Sequence, residues 1–333
     1  PVHSGHILSV GPIAEIKVPR GTNVIDCKGL VVTAGFWNSH VHILTPGLIA
    51  SDPDIPADDT SDQFSVLFPQ HQIRPHGRRW GAYVAGLMWS PGCAALLTCK
   101  LLRRDLRSLG WGWGKTRYEV IAYLIPLGYS IVIYGFVWLT GLGGVYNKSF
   151  LDQITNSLGL GPIPAWASIT LYFIFTATFT VIRDFATVIG EEIGWRGFLV
   201  PELSKRHSFS ATALITGFIW AIWHYPVILF ADYGASPAWF YVPLLTIMLP
   251  FLTFVWAWLR LKSNSIWPCV LLHASHNTFI QQFFDPLTVY RNKTGYVARE
   301  FGAALLLISI AMALYFWRRR DEVEDDNRRA STC

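Results

Sequence analysis

Three groups of polar residues stand inside or beside long apolar stretches of this sequence. They are Glu191, Glu192 and Arg196 in the first group, His224 in the second, and His273 and Asn277 in the third. An ionisable side chain inside a membrane costs several kcal/mol, so it normally faces the interior of a helix bundle and marks a functional site. Two histidines with two carboxylates can bind zinc, or they can activate a water molecule without a metal.

The spacing within two of these groups has a helical geometry. Glu192 and Arg196 are four residues apart with the acid first, which is the favourable order for an ion pair on a helix. His273 and Asn277 are also four residues apart and share one helix face. Glu191 is rotated by about 100° from its neighbour on a helix, so we expect the two acids to face different surroundings.

The elements that position these residues are predicted to be membrane helices. Of the 333 residues, 52% are hydrophobic and 15% are charged, whereas about 25% are charged in a typical soluble domain. The apolar residues fall in blocks close to the length of about 20 residues that crosses a bilayer. The seven predicted spans are residues 83–100, 118–140, 167–190, 211–230, 239–261, 266–284 and 301–317. The predicted fold class is an all-α membrane protein, a bundle of about seven transmembrane helices with a small β-rich or disordered N-terminal appendage.

Basic residues alternate between the connections of these spans. They concentrate after the first, third, fifth and seventh spans, and such connections are cytoplasmic. The protein is therefore predicted to be an integral, multi-pass membrane protein with a cytoplasmic C-terminus. Three arginines before the first span, Arg74, Arg78 and Arg79, argue against an external N-terminus. The net charge of +5 lies in short clusters between apolar blocks, a pattern that is typical of loops, so no nucleic-acid partner is predicted.

The depth of the polar residues in their spans is predicted to differ. At 1.5 Å per residue, Glu191 lies near the cytoplasmic end of its span, His273 about 10 Å inside and His224 about 20 Å inside. A tilted or late-starting helix has to close this gap. We nevertheless expect these three residues and Asn277 to meet in one polar cavity that opens towards the cytoplasm, because all four stand on otherwise apolar spans.

Four segments are predicted along the chain. Residues 1–45 form the N-terminal appendage, residues 46–80 an Asp/Pro-rich and then basic linker, residues 81–317 the membrane domain, and residues 318–333 a charged cytoplasmic tail. The five cysteines are scattered and show neither zinc spacing nor a disulfide framework, so they are interpreted as structural or incidental.

The order of the polar groups resembles a known family. The patterns are Glu-Glu-x-x-x-Arg at 191–196, an aromatic residue four positions before His224, and His-x-x-x-Asn at 273–277. Together they resemble the CPBP family of intramembrane glutamic proteases, which includes the type II CAAX prenyl endopeptidases and bacteriocin-processing and immunity proteins. The likeness extends from about Tyr83 to Trp317. One departure is Trp220, which stands where the family most often has Phe.

The resemblance implies a mechanism and its partners. Glu191 and His224 would hold and deprotonate the attacking water, and His273 and Asn277 would donate hydrogen bonds to the oxyanion of the tetrahedral intermediate. Glu192, paired with Arg196, would support them. No metal or cofactor is implied, and zinc is kept as the alternative. The implied partners are the lipid bilayer and a peptide or protein substrate, which is prenylated for some members of the family.

Two other functions fit the same helices. A catalytically idle membrane scaffold or bacteriocin-immunity-type protein of the same fold would need no complete polar set, so the presence of that set favours the enzyme. A transporter would use the same intramembrane charges as an ion path, but no inverted repeat supports it.

The N-terminal appendage resembles a second family. Residues 23–30 and 32–42, which end in His40-Val41-His42, are similar to the opening of a metal-dependent amidohydrolase, where such a pair supplies two metal ligands. On a strand, positions i and i+2 point to the same face. A barrel of this kind needs about 250 residues, and the membrane spans begin long before that, so the fragment is incomplete and no amidohydrolase activity is predicted.

Overall fold

The computed structural model of the protein describes residues 77–324, apart from residues 158, 160, 162, 231–236 and 292, together with four short strands nearer the start. The chain divides into two compact units, Pro1–Asp59 and Thr60–Cys333. The predicted boundaries at residues 45, 80 and 317 stay predictions.

The described part of the first unit consists of two antiparallel strand pairs. Strand β1 (Val2–His3) pairs with β2 (His6–Ile7), and β3 (Thr33–Ala34) pairs with β4 (Val41–His42). Most of the amidohydrolase-like segment, including His40, lies outside the described residues. That resemblance therefore stays a prediction.

The second unit is a bundle of helices. In chain order they are α1 (Gly77–Leu101), α2 (Thr116–Leu139), α3 (Lys148–Ser157), α4 (Ala165–Ser204), α5 (Phe209–Phe230), α6 (Ala238–Ser263), α7 (Trp267–His276), α8 (Asp285–Leu287), α9 (Thr294–Val297) and α10 (Ala303–Arg318). A 3₁₀ turn, Leu106–Leu109, follows α1. Strands β5 (Gly143–Gly144) and β6 (Val289–Tyr290) pair antiparallel beside the bundle.

Four of these helices are long and apolar enough to cross a membrane by length and composition. They are α2, α4, residues Phe209–Leu229 of α5, and α6, and the apolar helix α10 is shorter. The other two predicted spans are also helical. They correspond to α1 and to α7, which continues through a π-helical stretch, Asn277–Phe284. The predicted fold class, an all-α membrane bundle, is confirmed.

Helix α4 is longer than the sequence predicts. The predicted span ends at residue 190, because Glu191 and Glu192 look like the charged end of a helix. In the structure both acids are buried and the helix runs on to Ser204. A π-helical stretch, Ile193–Leu199, lies inside this extension. The charges do not end the helix because they have partners within the bundle.

This extension removes the predicted mismatch in depth. Thirteen residues of α4 follow Glu191, which at 1.5 Å per residue is about 20 Å of helix. His224 lies fifteen residues after the start of α5, which is about 22 Å. Only residues 205–208 connect the two antiparallel helices, so Glu191 and His224 lie at similar depth.

Glycine allows the site-bearing helices to approach their neighbours closely. A Cβ atom at Gly190 would lie 2.7 Å from the Cα of Trp89 in α1, and Gly194 packs against Pro91 of the same helix. A Cβ atom at Gly217 of α5 would lie 2.8 Å from the carbonyl oxygen of Leu249 in α6. Small residues at such crossings let backbones meet, as is common where membrane helices pack.

The basic connections lie at one end of the bundle. Arg104 after α1 forms a 2.5 Å ion pair with Glu202 near the end of α4, and Nε of Arg260 near the end of α6 donates to the carbonyl oxygen of Arg196 at 2.8 Å. Lys262 donates to the carbonyl oxygen of Glu322, which follows α10. This arrangement agrees with the predicted alternation of basic connections. That this end is cytoplasmic stays a prediction.

Candidate active site

The four residues predicted to be catalytic line one cavity inside the bundle. Glu191 comes from α4, His224 from α5, His273 from α7, and Asn277 from the first position of the π-helical stretch that follows α7. The cavity has a volume of about 60 Å³, which is enough for water. Most of the other lining side chains are apolar, so charges in this cavity act in a low dielectric. The side to which it opens stays a prediction.

Two indoles hold the carboxylate of Glu191. Nε1 of Trp220 donates to Oε2 at 2.8 Å, and Nε1 of Trp195 donates to the same oxygen at 3.3 Å. An indole N–H is only a donor, so both contacts favour a carboxylate that accepts. Oε1 makes no hydrogen bond to another described residue and is the oxygen left for a water molecule.

The hydrogen bond of His224 determines which ring nitrogen can act as a base. Nδ1 lies 2.8 Å from the carbonyl oxygen of Trp220, one helical turn earlier. A carbonyl oxygen can only accept, so Nδ1 carries the proton in this hydrogen bond. In the neutral ring Nε2 then keeps its lone pair. Trp220 therefore contacts both members of the predicted water-activating pair, through its indole and through its backbone.

Glu192 connects two helices at the back of the site. Its Oε1 accepts from Nη1 of Arg196 at 2.9 Å and lies 2.8 Å from Nδ1 of His273. Both members of the Glu192–Arg196 pair are completely buried. With an ionised Glu192, Nδ1 of His273 is the donor, so the other nitrogen, Nε2, can donate to a ligand only when the ring is an imidazolium.

Arg196 lies between two aromatic rings. Its guanidinium carbon is 4.2 Å from the ring centre of Trp220 and 5.2 Å from that of Trp256. Its Nε and Nη2 have no hydrogen-bond partner among the described residues. Cation–π contact with two indoles stabilises this desolvated charge, which explains how a buried arginine is tolerated with one carboxylate partner.

Asn277 lies where the helix widens into a π-helical stretch, a feature that is frequent at functional sites. Its Oδ1 accepts from Nε2 of Gln281 at 3.4 Å, which leaves the two Nδ2 protons as donors. The next turn is tied to α4, because Thr278 and Gln282 donate to Oδ2 of Asp184 at 3.1 and 2.6 Å. Asp184 is buried and lies two helical turns before Glu191.

Several residues of the cavity were not predicted from the sequence as site residues. His276 and Glu300 both line it, with His276 Nε2 3.9 Å from Glu300 Oε1, and Nδ1 of His276 bonds to the hydroxyl of Tyr129 at 2.5 Å. The roles of Trp195 and Trp220 as donors to Glu191 were also missed. A signal for the tryptophans exists, since each stands four residues from a predicted site residue, but spacing cannot tell a donor from a packing residue.

The described residues include no group of three or more His, Cys, Asp or Glu side chains that could hold a metal ion. Among the carboxylates, Glu192 turns to Arg196 and His273, and Glu191 is held by indole donors. The prediction that no metal takes part stays a prediction, and a test of it is described below.

Part of the chain is similar to a known protein family. Residues 166–279 match the family model described as type II CAAX prenyl endopeptidase Rce1-like. This segment is therefore similar to that family. The resemblance predicted from the sequence is thereby confirmed over a segment that contains all six of the predicted polar residues.

The Rce1-like segment also has a similar curated protein. A CAAX prenyl protease 2 of Methanococcus maripaludis is 34% identical over 74 residues, which is 20% of this chain and 27% of the relative. The match thus covers about a quarter of the relative's length. No solved structure matches the chain.

Replacing Trp220 with Phe tests the indole contact to Glu191 in the Rce1-like segment. The variant keeps an aromatic ring against Arg196 but loses the 2.8 Å donor. A hydrogen bond to a charged group contributes about 1.5–3 kcal/mol to stability, so we expect the free energy of unfolding to fall by about that amount. The protein should still fold.

The matched control is Trp239→Phe, because the Trp239 side chain is 74% exposed. This variant should have the same free energy of unfolding as the parent protein. Equal free energies of unfolding for Trp220→Phe and the parent would mean that the indole hydrogen bond to Glu191 does not stabilise the protein.

Proposed function

We propose that the protein is an intramembrane endopeptidase that hydrolyses a peptide bond of a membrane-associated substrate. The observation that carries this proposal is the convergence of Glu191, His224, His273 and Asn277, from three separate helices, on one cavity in an apolar bundle. Membrane helices seldom carry such side chains without a function. A packing role alone gives no reason for an acceptor pair, Glu191 and His224, and a donor pair, His273 and Asn277, to face the same cavity.

Glu191 and His224 activate the attacking water molecule. A water molecule in the cavity can donate one proton to Oε1 of Glu191 and the other to Nε2 of His224. The tautomer set by the Trp220 carbonyl keeps that ring nitrogen free to accept. One of the two groups takes a proton as the water oxygen attacks the carbonyl carbon, and general-base catalysis of this kind contributes about 10²- to 10⁴-fold.

His273 and Asn277 stabilise the negative charge that forms on the substrate carbonyl oxygen. As the water oxygen bonds to the carbonyl carbon, the carbonyl oxygen becomes an oxyanion, and Nδ2 of Asn277 and Nε2 of a protonated His273 are suitable donors to it. Glu192 stabilises that imidazolium through Nδ1. When the carbon–nitrogen bond breaks, the proton taken from water passes to the leaving amine, and the first pair returns to its starting state.

The proposed substrate is a peptide or protein in or on the membrane, and CAAX-type prenylated proteins are the first class to test. Support for that class comes from the descriptions of the matching family and of the archaeal relative, both of which contain the words CAAX and prenyl. The apolar lining of the cavity is compatible with apolar residues beside the scissile bond.

The decisive experiment is cleavage of a membrane-peptide library by the purified protein in lipid nanodiscs. The library contains CAAX-type peptides with and without a prenyl group and unrelated transmembrane peptides, and products are identified by mass spectrometry. We expect endoproteolytic fragments that the Glu191→Gln variant does not produce. Fragments that the variant also produces come from a contaminant. A protein that inserts, remains monodisperse and cleaves nothing is an idle scaffold, and the proposal is then incorrect.

We expect activity to be independent of bound metal. The carboxylates and imidazoles of the site already have protein partners that suit water activation without a metal. Exhaustive dialysis against a chelator should leave the cleavage rate unchanged, with total zinc measured in the same sample. Loss of activity that stoichiometric zinc restores would contradict this prediction and favour the zinc alternative.

We also expect cleavage to survive deletion of residues 1–60. The predicted site lies wholly in the second compact unit, and the deletion removes the first, which ends at Asp59. The truncated protein should cleave at a rate close to that of the full chain. Because the deletion can change how the first span inserts, a second version with an added N-terminal span is the control. Loss of cleavage in both versions, with insertion intact, would make the appendage part of the enzyme.

A further inference from the structure

A second pocket lies at the basic end of the bundle, away from the proposed catalytic residues. It has a volume of about 760 Å³ and is formed where α1, α4 and α6 end. Its polar lining includes Arg104, Lys205 and Arg260, and its apolar lining includes Phe198 and Leu261. None of the predicted site residues lines it.

Arg260 is the observation that points to a ligand. Its side chain is only 3% exposed, and its hydrogen bonds go to neutral oxygens: the carbonyl of Arg196 at 2.8 Å, Oδ1 of Asn264 at 3.2 Å, and the carbonyl of Ser108 at 3.5 Å. No carboxylate of the described residues forms an ion pair with it. A buried charge is costly unless an opposite charge compensates it, so an anion in the pocket would stabilise this guanidinium.

The other charges of the pocket leave it positive. Arg104 and Lys205 share a single acid, Glu202, at 2.5 and 2.6 Å. Asp105 also lines the pocket, and its carboxylate accepts from the backbone N–H of Arg107. Arg104, Lys205 and Arg260 therefore face two acids, so an anion that enters meets one excess positive charge. The Lys205 side chain is exposed and can reach such an anion.

The position of the pocket favours a lipid as the source of this anion. It lies where two candidate membrane spans, α4 and α6, end, and helices that cross a bilayer commonly end near its headgroups. Leu101, Leu102 and Leu106, beside Arg104 in the sequence, are exposed, and apolar side chains next to basic ones are typical of a segment at the membrane interface. Basic pockets between membrane helices bind anionic headgroups.

We propose that this pocket binds the phosphate headgroup of an anionic phospholipid. Arg260 and Lys205 contact the phosphate oxygens, and Phe198 and Leu261 contact the glycerol and the upper part of the acyl chains. The site is separate from the proposed protease chemistry, so a protein inactivated by Glu191→Gln should bind the lipid as well as the parent does.

The test compares lipid binding by native mass spectrometry and thermal unfolding of the full chain. Nanodiscs contain phosphatidylcholine alone or phosphatidylcholine with phosphatidylserine, and a third sample contains phosphatidylcholine with inorganic phosphate. We expect phosphatidylserine to remain bound and to raise the unfolding temperature, since a ligand that binds only the native state stabilises it. The third sample should show neither effect.

The variants locate the site. Lys205→Gln should weaken phosphatidylserine binding about fivefold, because one cation near an anionic headgroup contributes about that factor to the affinity. Arg260→Gln should weaken binding further. The control Arg206→Gln removes an exposed charge of the same loop that does not line the pocket, and it should bind like the parent. If Arg260→Gln does not fold, the comparison of Lys205→Gln with Arg206→Gln tests whether the pocket binds the lipid.

Three results would overturn the proposal. Equal binding of phosphatidylcholine and phosphatidylserine excludes selection of an anionic lipid by this pocket, since both headgroups contain a phosphate and only the second has a net negative charge. Equal stabilisation by inorganic phosphate identifies a soluble anion instead of a lipid. An equal loss in Arg206→Gln and Lys205→Gln means that the whole basic end attracts lipid and that the pocket does not bind it specifically.

Discussion

Replacing Glu191 with Gln is expected to lower kcat/KM for peptide cleavage by about 10²- to 10⁴-fold, the usual contribution of a general base. Glutamine has the same shape and can still accept the indole hydrogen bonds of Trp220 and Trp195. It cannot take a proton from water. The change therefore removes the proton acceptor while the packing around it stays, and the unfolding temperature should change little.

The controls for this prediction are a remote acid and the partner residue of the site. Asp152→Asn removes an exposed acid outside both pockets and should leave the cleavage rate unchanged. The double variant Glu191→Gln/His224→Gln should be hardly slower than the single variant, because residues that act as one unit show strongly non-additive effects. A Glu191→Gln protein that keeps a tenth or more of the parent's rate would exclude Glu191 as the base.

Replacing Arg196 with Met is expected to give the largest loss of stability, about 3–5 kcal/mol in the free energy of unfolding. The variant leaves Glu192, which is completely buried, without its cation, and it removes the charge stacked between Trp220 and Trp256. Removing one member of a buried ion pair lowers the free energy of unfolding more than removing both members does, because it leaves one buried charge without a partner. Chemical unfolding in detergent micelles, followed by tryptophan fluorescence, measures the effect.

The double variant Glu192→Leu/Arg196→Met separates stability from activity. We expect it to regain most of the lost stability, because no uncompensated charge remains. It should stay inactive, because His273 then lacks the carboxylate that stabilises its imidazolium. Asp152→Asn, which breaks the exposed pair with Lys148, is the matched control and should leave the unfolding midpoint unchanged. Full activity in the double variant would show that Glu192 is not needed at the site.

The sequence by itself was enough to predict the membrane bundle and four of the residues that line the cavity. Long apolar blocks indicate membrane spans without any tertiary information, because the thickness of the bilayer sets their length. Charged and polar side chains in such blocks are costly, so Glu191, His224, His273 and Asn277 stand out one by one. The family pattern then links them. Their roles in catalysis stay predictions.

Only the tertiary structure decided how these residues are arranged. The sequence places Glu191 near a helix end and His224 about 20 Å deeper at 1.5 Å per residue, and the mismatch disappears only because α4 continues through its buried charges to Ser204. The contact of the Trp220 indole with Glu191 could not be predicted either, because Glu191 lies on another helix. The second contact, from Nδ1 of His224 to the Trp220 carbonyl, depends on how the His224 ring is turned. The pocket around Arg260 joins segments more than 150 residues apart in the chain. Distances between helices depend on how whole faces pack, so residue type and spacing along one helix do not determine them.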